Sequence, residues 1–77
     1  MGLSKEEFFA MINTEISEMP NDYREGQKVF NAVEWLFGLA RDVQFSKNID
    51  CFYDDSKIEE FKEKAYECYK EQFDLNY

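Results

Sequence analysis

The chain has no histidine, a single proline, three glycines and only two cysteines among its 77 residues. Each scarcity removes options. Without histidine, no side chain has an unperturbed pKa near neutrality and no imidazole is available to ligate a metal. Histidine-dependent triads and the common zinc sites go with it. Two cysteines, Cys51 and Cys68, do not make a disulfide framework. So little glycine and proline argues against a loop-rich or disordered chain. Cations are also scarce, nine against seventeen acidic side chains, for a formal charge of −8. A surface of that sign repels nucleic-acid phosphates and anionic headgroups, so neither duplex DNA nor a membrane is an expected partner. No stretch has the ~20 apolar residues of a membrane span.

The length suits one domain, residues 1–77, with one core. Aromatic residues supply the means to build it: eight Phe, five Tyr and one Trp make 18 % of the chain, and each ring buries on the order of 150–250 Å². The first residues, MGLSKEEFF, lack the basic stretch and apolar run of a signal peptide and the serine or threonine of a myristoylation signal. The cytoplasm is the expected compartment, with both thiols reduced.

Three capped segments predict an all-α, three-helix domain. Ser4 and Glu7 fit a capping box, and Leu3 and Phe8 a hydrophobic staple. Phe8, Ile12, Ile16 and Met19 recur at helical spacing. Pro20 forces Met19 out of the helical region, which sets a first helix over about 5–18. Asp22 with Glu25 repeats the capping pattern. Phe30, Val33, Phe37 and Ala40 then mark one face of a second helix ending between 38 and 44. Gly26 lies on that inner face, where a missing side chain permits close helix approach, and Trp35 falls off its centre. Residues 44–55 read as an ordered, partly buried connection whose aromatics would not be left in water. Ser56 with Glu59 opens a third helix over about 57–73. There Ile58, Phe61, Ala65, Cys68 and Gln72 share a face flanked by Tyr66, Tyr69 and Phe73. Glu60 and Lys64 stand in the favoured i,i+4 order for an ion pair. Phe8, Ile12, Phe30, Val33, Phe37, Phe61 and Ala65 are the expected core.

Chemistry-bearing groups are few. Asp50, Asp54, Asp55 and Glu59 could offer oxygen ligands to Mg²⁺ or Ca²⁺, but the stretch lacks the glycine and alternation of an EF-hand loop. Their place at the start of a helix is explained by its positive end. Paired carboxylates arise here by composition alone, and the chain is small for walling off a substrate cleft. Cys68 reads as a core residue. Cys51, beside Asp50, meets charge that raises a thiol pKa. No catalytic residue, metal or cofactor is expected. The polar set Arg24, Gln27 and Asn31 (with Lys28) can donate and accept along one side of the second helix. It suits either a partner or the backbone of the 44–55 connection.

Taken in order, Arg24-x-Gly26-Gln27-x-x-Phe30-Asn31, then Ile49-Asp50-x-Phe52-Tyr53-Asp54-Asp55, then Ile58 and Phe61 resemble a group of short bacterial and phage proteins of unknown function. The pattern covers residues 24–61, and that group tends to have proline where this chain has Cys51. The resemblance implies a phage or mobile-element origin, and a helix with the connection packed on it. It brings no activity and no site residues.

A non-enzymatic protein-binding module is the leading expectation, with an inhibitor of a host or defence protein as its phage version. The candidate partner-binding residues are Arg24, Gln27, Asn31, Trp35, Asp50, Tyr53, Asp54 and Asp55, since exposed Tyr and Trp anchor interfaces. In a nucleic-acid mimic, Glu59, Glu60, Glu63, Glu67, Glu71 and Asp74 would imitate phosphate spacing towards a basic protein. Lys57, Lys62, Lys64 and Lys70 interrupt that face. A homo-oligomeric structural protein is the remaining alternative, because the apolar face of the second helix is wide.

Overall fold

A computed structural model describes residues 2–73, Phe73 for its backbone only. The described residues fold into four helices and no strand: α1 (Lys5–Ser17), α2 (Glu25–Phe37), α3 (Ala40–Ser46) and α4 (Ile58–Phe73), with a 3-10 turn over Asp55–Lys57 leading into α4. The all-helical expectation holds, but the helix count rises from three to four. The expected flanking role of the Phe73 side chain and the acid Asp74 lie outside the described residues.

α1 begins as its sequence dictates. Ser4 Oγ accepts the amide of Glu7 at 3.1 Å, and Glu7 Oε1 accepts the amide of Ser4 at 2.9 Å, which satisfies two otherwise orphaned donors. Leu3 packs against the core. Two tyrosines of α4 fix its backbone, since its amide donates to Tyr69 Oη at 2.6 Å and its carbonyl accepts Tyr66 Oη at 3.0 Å. α1 ends at Ser17, and the amides of Glu18 and Met19 turn back onto Glu15 and Ile16 ahead of Pro20.

α2 does not start at the expected cap. Arg24, extended at φ −70° and ψ 159°, occupies the N-cap position instead of Asp22. Its amide donates to Gln27 Oε1 at 3.1 Å, so a glutamine three residues on serves where a capping aspartate was expected. The far end is a helix break. Gly38 takes the left-handed conformation (φ 67°, ψ 27°) and its amide closes on Glu34 O at 2.9 Å. The chain then turns, and Leu39, Ala40 and Val43 fold back with no exposed surface, making α3 a separate short helix. This is why the residues expected to extend the second helix are helical but not part of it.

α2 is the centre of the molecule, packing against α1, α3, α4 and the 3-10 turn. Five of the seven expected core residues are completely buried: Phe8, Ile12, Val33, Phe61 and Ala65. Phe30 and Phe37 are only partly buried against that core, contrary to expectation. Leu39, Val43, Cys51 and Ala32 take their places inside. The rings still form a connected set, with Phe8 stacked on Phe37 at 4.4 Å and edge-on to Tyr66 at 5.3 Å.

The start of α4 also differs from expectation. Ser56 and Glu59 do not form a capping box. Asp54 Oδ1 accepts both the Ser56 amide (3.0 Å) and the Ser56 hydroxyl (2.6 Å), and so caps the 3-10 turn ahead of the helix. Glu60 and Lys64 do not pair either, because Lys64 reaches Glu67 at 3.5 Å.

Candidate interaction surface

The segment between α3 and α4 is pinned to α2 through polar bonds from side chain to backbone. Gly26 supplies the closest approach. A Cβ on residue 26 would lie 1.9 Å from the carbonyl oxygen of Cys51 and 2.7 Å from Asp55 Oδ1. The missing side chain thus admits a loop, where the sequence suggested a neighbouring helix. The Gly26 amide donates to Asp55 Oδ1 at 2.9 Å, and the Gly26 carbonyl accepts the Cys51 thiol at 3.3 Å. Two residues earlier, the Arg24 guanidinium donates to the Phe52 carbonyl. Asp50 steadies the loop from within: Oδ1 accepts the Phe52 amide and Oδ2 the Gln44 side-chain amide, both at 2.8 Å.

These bonds account for most of the polar candidates. Arg24, Asp54 and Asp55 hold the loop and the 3-10 turn, and Gln27 caps α2. Asn31 is half-buried on α2. Serine donors draw the Asp54 carboxyl below its ordinary value, with Lys57 and Arg24 adding to the effect. Among the described residues, no three acidic or thiol groups converge as a metal site would require. Cys51 is fully buried, and burial first, then the nearby Asp50 charge, pushes its thiol up to about 12. It is therefore a protonated donor to backbone. Burial likewise raises Cys68, against a lowering contribution from Lys47.

The loop leaves apolar surface outside. Phe45 on α3 and Tyr53 in the loop are 80 % and 77 % exposed, which overturns the expectation that the aromatics of 44–55 would be covered. They rim an open groove of about 370 Å³ that Phe30, Arg41, Gln44, Asp50 and Phe52 also line. Its rings are ordered by contact, Phe52 lying edge-on to Phe30 at 5.4 Å and to Tyr53 at 4.8 Å. Of the candidate residues, only Asp50 and Tyr53 line this groove. Trp35, 80 % exposed, stands on α2 outside it. Phe45, Arg41 and Gln44 line the groove without being among the candidates. Their signal was helical spacing: Arg41 and Phe45 stand four apart, so α3 shows both on one side once it buries Ala40 and Val43.

The charges are unevenly matched. Every ion pair among the described residues uses an acid of α4: Glu59 with Lys62, Glu63 with Lys5, Glu67 with Lys64 and Lys47, and Glu71 with Lys47. Glu71 raises the Lys47 pKa through its hydrogen bond at 3.1 Å. No helix is long and apolar enough to cross a membrane, among the described residues.

No protein-family model matches the chain. No curated protein and no solved structure shows significant similarity to it.

Proposed function

We propose that the chain is a small acidic protein-binding module with no catalytic role, and that the groove between α3 and the 47–55 loop is its binding face. The observation that carries this reading is the pair of exposed rings, Phe45 and Tyr53, on either side of a groove lined by Phe30 and Phe52. Buried in an interface, two such rings supply several kcal/mol, and aromatic anchors dominate measured interfaces. The loop is held by five hydrogen bonds, donated by Arg24, Gly26, Gln44, Cys51 and Phe52. Little ordering is then needed on binding, which favours affinity.

The nucleic-acid mimic has less support. Four of the six acids it would use are neutralised locally by lysines within 4 Å. The homo-oligomer also has less support, since α2 packs against α1, α3 and α4, which leaves only Phe30, Leu36 and Phe37 of its apolar face partly open. A phage-encoded inhibitor of a host or defence protein rests on the sequence resemblance alone. With eight surplus negative charges, the protein has no affinity for duplex DNA at physiological salt.

The test is capture from a cell lysate with the wild-type chain and with a Phe45→Ala, Tyr53→Ala double variant. A protein retained by the first and lost by the second, with both baits equally helical, is the expected result. An identical captured set from both baits would remove the groove as the binding face.

A further inference from the structure

A second apolar groove, of about 280 Å³, runs between α1 and α2 and is lined by Ala10, Met11, Thr14, Glu15 and Leu36. It is separate from the Phe45–Tyr53 groove and shares no residue with it. Its one charged lining residue is an acid, Glu15, and acids outnumber cations along α1. Glu7, Met11, Glu15 and Glu18 follow one another at spacings of three and four along α1 and into its C-cap, so they form a single stripe. Among the described residues, no acid of α1, α2 or the turn between them takes part in an ion pair, whereas the acids of α4 are paired repeatedly. Within α2, Lys28 is the only cation, and the only cation of α1, Lys5, is committed to Glu63 on α4. Met11 is 39 % exposed, and methionine's flexible thioether adapts to varied apolar partners.

An apolar trough with Glu15 on its wall and Glu18 next along the same stripe, neither in an ion pair, has the form that receives an amphipathic helix bearing cations beside its apolar face. We infer that the α1–α2 groove binds a basic amphipathic helix of a partner protein, with apolar side chains on Met11 and Leu36 and its Lys or Arg residues towards Glu15 and Glu18. A second copy of this chain does not fit the role, because two surfaces of the same strong negative charge repel. Acidic segments are rejected for the same reason.

The probe is a synthetic amphipathic helix of leucine and lysine, about 15 residues long to match the span of α1. Its counterpart carries glutamate in place of lysine. Amide chemical shifts of the intact protein locate the binding. The lysine peptide should perturb residues 10–15 and 36, weaken as salt is raised, and lose roughly tenfold or more in affinity to a Glu15→Lys, Glu18→Lys variant. Circular dichroism checks that this variant remains helical, and Phe45→Ala should leave the binding unchanged. Shifts centred on α4 would mean generic attraction to acids, and shifts centred on Tyr53 would mean use of the other groove. Either result, or equal binding of the glutamate peptide, overturns the inference. Because the two grooves share no residue, its failure leaves the Phe45–Tyr53 reading untouched.

Discussion

The carbonyl oxygen of Cys51 lies 1.9 Å from where a Cβ on residue 26 would stand, so Gly26 and Cys51 meet at a distance only glycine permits. The same two residues are bonded in the reverse sense, the Cys51 thiol donating to the Gly26 carbonyl at 3.3 Å. Backbone therefore packs directly on backbone, and the loop that carries Phe52 and Tyr53 is seated on the first turn of α2.

Gly26→Ala tests that seat. In an open helix the change gains about 1 kcal/mol of propensity. Here the new methyl overlaps a backbone carbonyl, which cannot rotate away as a side-chain tip could. Overpacking costs about 1–3 kcal/mol or more, and overlap with a backbone carbonyl places this site at about 3 kcal/mol, so the net effect after the propensity gain is a loss. Urea unfolding should show the variant less stable by about 2 kcal/mol. A variant as stable as wild type would show that the loop does not sit there.

Gly38 makes a controlled comparison, since a Cβ there meets nothing within 4 Å and only its φ of +67° is at issue. Gly38→Ala should destabilise by about 1 kcal/mol through left-handed strain. Gly38→Asn should lose less, because asparagine tolerates that region. Equal losses for the two replacements would point to a contact in place of strain.

What could be read in advance follows from how local each determinant is. The start of α1 was legible because Ser4 and Glu7 satisfy each other within four residues. The start of α2 was not, since Arg24 is held partly by the Phe52 carbonyl, twenty-eight positions away. Ser56 looked like a cap by pattern, but its neighbour Asp54 accepts both of its donors first. α3 has seven residues, too few for periodicity to stand out, and its burial depends on the turn at Gly38. Asp50 and Tyr53 are partner-binding candidates by residue type alone, whereas their sharing a groove with Arg41 and Phe45 depends on the turn at Gly38.

The Phe8–Phe37 stack separates core from cover. Phe8 is fully buried and touches Phe37, Tyr66 and Tyr69, whereas Phe37 retains a partly open face. Phe8→Ala should cost about 3–5 kcal/mol, enough to unfold much of a small domain. Phe37→Ala, with less area to lose, should cost less under the same conditions. Thermal unfolding followed by circular dichroism ranks the two directly, and the opposite order would show the core centred on α2 alone.

The thiol of Cys51 should make stability fall in alkali. Its folded pKa is raised to about 12, by burial first and the Asp50 charge second, while an unfolded cysteine titrates near about 8.5. Between those values the unfolded chain has released a proton that the folded chain keeps. Stability is then complete below the unfolded pKa and declines as pH rises, at up to about 1.4 kcal/mol per pH unit. Cys68, also raised by burial, contributes in the same direction. Lys47, raised by Glu71, acts only above the unfolded lysine value of about 10.4, so it does not contribute between pH 8 and 10. Urea unfolding under reducing conditions should show a loss on the order of 1–2 kcal/mol across that window. Cys51→Ala lowers stability at neutral pH by removing a packed side chain, so its absolute value does not discriminate. Its slope does: the decline between pH 8 and 10 should flatten in the variant, and an unchanged slope would place the titrating group elsewhere.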